Sequence, residues 1–181
     1  MLLRAILSIP DIGQIDAFAE PWRRLYGTST LLSTAVLFGH LGGLFAAGGL
    51  AVAADRATLR VDPADETDRS RHLADRERLH RPIWIALGLA MLSGLLLFFA
   101  DVEAFAGSAI FWTKMLLVAL LLANVAHTAR LDVSLRRDAT AHGADSAANH
   151  ARRWRRRRAG AIVSALLWFL LVLAGTALAS H

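Results

Sequence analysis

Four polar side chains stand inside stretches that are otherwise apolar: His40, Lys114, Asn124 and His127. An ionisable group in a bilayer is costly, so each marks a candidate site. His40 is flanked by small residues, Gly39, Gly42, Gly43, Ala46 and Ala47. A neutral imidazole is a metal ligand or a hydrogen-bonding group. The Gly39–Gly43 spacing lets a helix or a flat ring approach closely. Two chemistries follow. His40 hydrogen-bonds across a helix bundle and the glycines serve packing, or His40 is an axial ligand to haem iron and the glycines make room for the porphyrin. Met91 is the depth-matched partner for the second chemistry, because His/Met ligation suits haem iron; otherwise it packs. His127 and His80 fall at a common depth, where they form a bis-histidine pair or simply meet water at the boundary. Lys114 either snorkels outward, pairs with Asp101 or Glu103, or holds a ligand carboxylate such as a haem propionate. Asn124 lies one turn from His127 and is expected to hydrogen-bond to a neighbouring helix.

Soluble-enzyme signatures are missing. The chain has no Walker loop, no nucleophile elbow and no cysteine. His72, His142 and His150 lie in charged connections without metal-ligand spacing.

The elements that must position these residues follow from composition. Of 181 residues, 55% are hydrophobic and 19% charged, and the mean hydropathy is +0.43. A soluble domain is about 45–50% apolar and about 25% charged. A disordered chain, a disulfide scaffold and a typical soluble enzyme are excluded. A hydrocarbon core about 30 Å thick needs about 20 apolar residues in a helix. Four segments qualify, at about 30–54, 82–100, 109–129 and 159–179, with Pro82 at a helix-start position. The expected fold is all-α, an integral membrane four-helix bundle, antiparallel and up-down. Residues 1–29 form an outer-face amphipathic segment, with Pro21, Trp22 and Tyr26 as anchors; residues 30–181 form the four-span domain. The run Leu2 to Ile9 contains Arg4 and lacks a cleavage site, so it does not read as a signal peptide.

Connections 55–81 and 130–158 hold 16 of the 20 basic residues. The positive-inside rule puts both in the cytoplasm and both termini outside. The turn 101–108 between spans two and three makes them antiparallel neighbours. Residues 64–81 read as a charged helix extending span two, with Asp65/Arg69 and Glu77/Arg81 as i,i+4 pairs. Trp112, Trp84 and Trp154 suit the boundaries, and Trp168 suits packing. The cluster Arg152–Arg158 sets topology or holds anionic lipid headgroups. The arginines have this membrane role, so no nucleic acid is invoked.

The stretch Leu37 to Leu44, followed by Gly48, Gly49, Asp55, Arg56 and Leu59, resembles the first helix of a bacterial four-helix membrane family of unknown function. Ala86 to Phe98 is similar to its second helix. Phe111, Trp112, Lys114, Asn124 and His127 are similar to its third. That group is distantly similar to copper-resistance D membrane proteins and to the haem-dependent protoporphyrinogen oxidase. The resemblance implies haem b at His40 and a helix-three lysine at Lys114. The chain departs from copper transport in having only 3 Met and no Cys. It departs from the oxidase in its first connection. The expected function is therefore a haem b protein of electron transfer or oxidoreduction in the bacterial inner membrane, its enzymatic status open. The alternative is a membrane subunit or transporter accessory module without cofactor, the glycine face of span one meeting a second copy or a larger complex.

Overall fold

The computed structural model describes residues 12–62, 65–138 and 144–179. Six helices follow in order: α1 (Ile12–Thr28), α2 (Thr30–Arg60), α3 (Glu66–Ala100), α4 (Val102–Ala106), α5 (Ala109–Asp138) and α6 (Ala144–Ala179). Among the described residues there is no strand. Helices α2, α3, α5 and α6 are long and apolar enough to cross a bilayer. The fold is an all-α bundle, and the chain is a multi-pass membrane protein. The run Leu2–Ile9 and His142 lie outside the described residues.

Every long helix extends beyond its apolar run at the arginine-rich end. α2 continues past Ala54 to Arg60, and α5 continues past Ala129 to Asp138. α3 starts at Glu66, as the charged extension predicts. Its start is set by Asp65, whose carboxylate accepts from the amides of Thr67 (2.8 Å) and Asp68 (3.2 Å). Glu66 and Asp68 in the first turn favour the positive end of the helix dipole. Pro82 therefore lies inside the helix instead of opening it. Its missing N–H leaves the carbonyl four residues back without a helical partner, which is tolerable because Arg78 and Pro82 are exposed. Asp65 acts as a cap, and Glu77 reaches Arg136 of α5 at 3.4 Å.

The turn 101–108 contains α4, where Asp101 accepts from the Ala104 amide at 3.2 Å. Phe98 stacks on Phe111 across this hairpin with centroids 5.4 Å apart, and Phe105 packs on Phe111 at 5.5 Å. α1 lies beside α3: the Trp22 indole donates to the Leu96 carbonyl at 2.8 Å. Arg23 pairs with Asp16 and holds its carboxyl below the usual carboxylate range.

α2 packs along α3, α5 packs along α6, and α2 against α6 joins the two pairs. α3 and α5, though adjacent in sequence and antiparallel, touch through few residues. Small residues decide this order. A Cβ at Gly43 would lie 2.8 Å from the Ala90 nitrogen and 2.9 Å from the Ala86 oxygen. One at Gly48 would meet the Trp168 ring at 3.0 Å, and one at Gly160 would meet Thr128 Cγ2 at 2.5 Å. Helix backbones can approach this closely only over glycine. Ala47, Ala86, Leu87, Leu121, Leu167, Trp168 and Leu171 form the central core. Val61, Leu73, Leu135 and Trp154 form a second apolar cluster at the arginine-rich end. Trp154 is thus enclosed, whereas Trp84 and Trp112 are surface residues.

The neighbouring glycines make a test. Gly43→Ala should lower the stability of the detergent-solubilised protein by about 1–3 kcal/mol through overpacking. Gly42→Ala has no atom within 4 Å of its new methyl and should be neutral or stabilising by up to about 1 kcal/mol. Thermal unfolding of the two variants measures the contrast.

Candidate functional site

Two sets of polar groups lie within the bundle. The more buried one was not expected from the sequence. Asp55 of α2, Arg76 of α3, Asp132 of α5 and Arg157 of α6 form a ring of alternating charge. Arg76 Nε donates to Asp132 Oδ2 at 3.2 Å, and Arg157 Nε donates to Asp132 Oδ1 at 2.8 Å. Asp55 Oδ1 lies 3.5 Å from Arg76 Nη1 and 3.7 Å from Arg157 Nη2. Each guanidinium therefore bridges both carboxylates, and every long helix supplies one member. Arg157 is 1% exposed and both aspartates 6%. Ser164 of α6 is buried as well, at 6% exposure.

Thr58 and His72 extend the ring. The Thr58 hydroxyl donates to the Ala54 carbonyl at 3.0 Å. Its one proton is thereby used, so the 3.0 Å contact with His72 is donated by His72 Nε2–H. Arg76 Nη1 donates to the same hydroxyl oxygen at 3.4 Å. The His72 ring meets Trp154 edge-on at 6.2 Å. The charges of the ring balance, and the Val61, Leu73, Leu135 and Trp154 cluster lies at the same end. This chemistry suits a clasp between four helices better than a ligand site.

The second set is at mid-span, toward the hairpin. His40 Nδ1 is 2.9 Å from the Ala90 carbonyl oxygen. A carbonyl only accepts, so Nδ1 carries the proton and Nε2 keeps its lone pair. Ser93 Oγ, which donates to the Leu89 carbonyl at 2.6 Å, lies 3.5 Å from Nδ1. Gly94 leaves the ring its space: a Cβ there would lie 3.0 Å from His40 Cε1. Among the described residues Nε2 has no partner, and the ring is only half-buried. Lys114 of α5 is also half-buried, with Nζ 3.9 Å from the position of a Gly175 Cβ. It forms no ion pair with Asp101, Glu103 or any other described carboxylate.

The structure leaves His40 and Lys114 half-buried in the hairpin-side half of the bundle and leaves Met91, His80 and His127 exposed. Met91 projects from the exposed face of α3, at 50% exposure. His80 and His127 are both exposed, and His80 packs against Trp84 with centroids 6.3 Å apart. Gly39 and Gly43 face α3, where Leu89, Ser93, Ala86 and Ala90 occupy the space beside them. Asn124 donates to the Gly160 carbonyl of α6 at 3.0 Å, the cross-helix bond expected of it. In the arginine cluster, Arg157 belongs to the ring and Arg158 donates to the Leu59 carbonyl at 2.7 Å. Arg152, Arg155 and Arg156 stay exposed. Among the described residues no group of three His, Asp or Glu side chains converges on a metal position.

Comparison with protein-family models, curated proteins and solved structures finds no match. Function must be argued from the geometry alone.

Asp132 is the member to test. Asp132→Ala strands the buried Arg157 guanidinium and should destabilise by about 3–5 kcal/mol. Glu77→Gln breaks only the exposed pair with Arg136 and should cost under about 1 kcal/mol. The double variant Asp132→Leu/Arg157→Met should recover part of the loss, because no unpaired charge is then buried. Chemical or thermal unfolding in detergent reads all three.

Proposed function

We propose that this protein binds haem b in the membrane for electron transfer or oxidoreduction, with His40 as its protein ligand and Lys114 as the partner of a propionate. One observation carries this reading: two polar groups with complementary needs are left unsatisfied in one apolar region. The imidazole Nε2 offers a lone pair, and the Lys114 ammonium lacks an anion. Haem presents both an electrophilic metal and carboxylates.

The surroundings of His40 support the reading. A metal-ligating histidine usually donates its other N–H to a carbonyl, which fixes the tautomer and the ring plane. Ala90 supplies that carbonyl. The donor set also fits. A lone histidine without nearby acids suits a metal that brings its own ring of nitrogens, as porphyrin iron does, and does not suit a bare ion. When bound, haem would supply a one-electron couple. The work of this chain would be to hold the iron through one nitrogen, neutralise a carboxylate at Lys114 and exclude water with apolar helix faces. Met91, His80 and His127 are not placed to share the metal with His40.

The remaining parts follow the same reading. The arginine-rich end lies in the cytoplasm of a bacterial inner membrane by charge bias. Arg152, Arg155 and Arg156 face anionic lipid there. A cofactor-free subunit or transporter accessory is the competing function. It is weakened at one point: α3 already covers the Gly39 and Gly43 face, so a second copy or a larger complex would need another surface.

The test is optical. Protein made with added haem precursor and purified in detergent should show a Soret band and a reduced-minus-oxidised α-band. His40→Ala should abolish both. Lys114→Gln should weaken haem retention about tenfold or more, the loss of one charged hydrogen bond. His80→Ala, His127→Ala and Met91→Ala should leave the spectrum intact. A wild-type protein that stays colourless after haem supplementation overturns the proposal and favours the accessory module.

A further inference from the structure

Arg56, Arg60 and Arg71 carry no ion pair to any described carboxylate, and the three line one groove. The groove, about 690 Å³ in volume, opens between α2 and the start of α3. That size is within the range of about 300–1,000 Å³ typical of small-molecule sites. Its lining changes character along α2. Gly49, Val52 and Ala53 form one part, inside the apolar run of that helix. Arg56 and Arg60 follow one and two turns further on, and Arg71 faces them from α3. Nothing lies within 4 Å of a Cβ built on Gly49, so the apolar part is open as well.

We infer that this groove is a site for one anionic glycerophospholipid of the arginine-rich leaflet, its phosphate held by Arg56, Arg60 and Arg71 and an acyl chain laid along Gly49, Val52 and Ala53. Three facts select this occupant. First, the groove straddles the limit of the apolar run, and a phospholipid is the bilayer component with charge and hydrocarbon at that same boundary. Second, guanidinium forks match phosphate oxygens in geometry and charge. Third, the charges sum correctly. Asp68 and Asp75 also line the groove, leaving it one net positive charge, which a single phosphodiester neutralises. Asp68 is partly engaged, since it accepts from the Asp62 amide at 3.1 Å. Asp75 is exposed and can accept from headgroup hydroxyls. A free phosphate would use the arginines but not the apolar floor.

His72 gives the site a consequence. It lines the groove and also donates to Thr58 within the ring. A bound lipid therefore covers the outer side of a residue that the clasp uses, and it should stiffen the arginine-rich end.

The site lies apart from Arg152–Arg158, and the experiment separates the two. Purified protein in a neutral detergent is titrated with short-chain phosphatidylglycerol, phosphatidylcholine, phosphatidylethanolamine or glycerol 3-phosphate. Thermal unfolding and native mass spectrometry read binding. Phosphatidylglycerol should raise the unfolding midpoint and add one retained lipid. Each of Arg56→Gln, Arg60→Gln and Arg71→Gln should weaken it about fivefold. Gly49→Leu fills the apolar floor without touching a charge and should weaken it too. The triple variant at Arg152, Arg155 and Arg156 should retain the tight lipid. All these positions are exposed, so unfolding midpoints without lipid should change little. The inference is overturned if phosphatidylcholine or phosphatidylethanolamine binds equally well. Full stabilisation by glycerol 3-phosphate, or unaltered binding in the three groove variants, overturns it as well.

Discussion

Two aspartates and two arginines, one from each long helix, hold the bundle together at one end. A buried charge is tolerable only when paired and hydrogen-bonded. Asp55, Arg76, Asp132 and Arg157 therefore have to meet, and their meeting fixes the rotation and axial register of all four helices together. Apolar packing alone cannot do this in lipid. Hydrocarbon tails are as apolar as leucine, so helices gain little from hydrophobic burial against one another. The glycine contacts at Gly43, Gly48 and Gly160 set how close the helices come. The charged ring sets which faces they present. Both constraints act on the α2–α6 contact that joins the two helix pairs.

The two polar regions differ in how completely they are satisfied. In the ring the charges pair and His72 and Thr58 donate their protons, although Nη1 and Nη2 of the buried Arg157 make no hydrogen bond among the described residues. At His40 only half of the imidazole is answered. Ala90 takes one nitrogen's proton, and the other nitrogen and Lys114 are left over. A protein under no functional demand would resolve such groups cheaply, by a small apolar side chain or an added partner.

The spans were legible because a helix that crosses lipid must be apolar for about 20 residues, a signal that needs no tertiary information. His40, Lys114 and Asn124 were legible as outliers in that background. The charged ring was not. Asp55, Arg76, Asp132 and Arg157 lie in or beside charge-rich segments, where a paired arginine looks like a solvated one. Sixteen arginines there read as topology signals, yet Arg157 is buried and Arg76 partly so. A finer signal existed: apolar or small residues continue at helical spacing past the span ends, as in Ala54, Thr58 and Val61, or Leu131 and Leu135. That pattern shows helices staying in contact beyond the bilayer. The exposure of Met91 was hidden for a different reason. Depth can be counted from sequence, but rotation about the helix axis depends on which neighbour packs where.

The overrun of the helices has a mechanical side. α3 has 35 residues, about 52 Å of helix at 1.5 Å per residue, against a hydrocarbon core of about 30 Å. Most of the excess emerges on the arginine-rich side, and the charged ring braces the four rods where they emerge. A protein approaching from that side thus meets helical rods that stand proud of the headgroups. Force or displacement applied to their projecting ends is passed into the transmembrane parts, because each end and its span are one continuous helix.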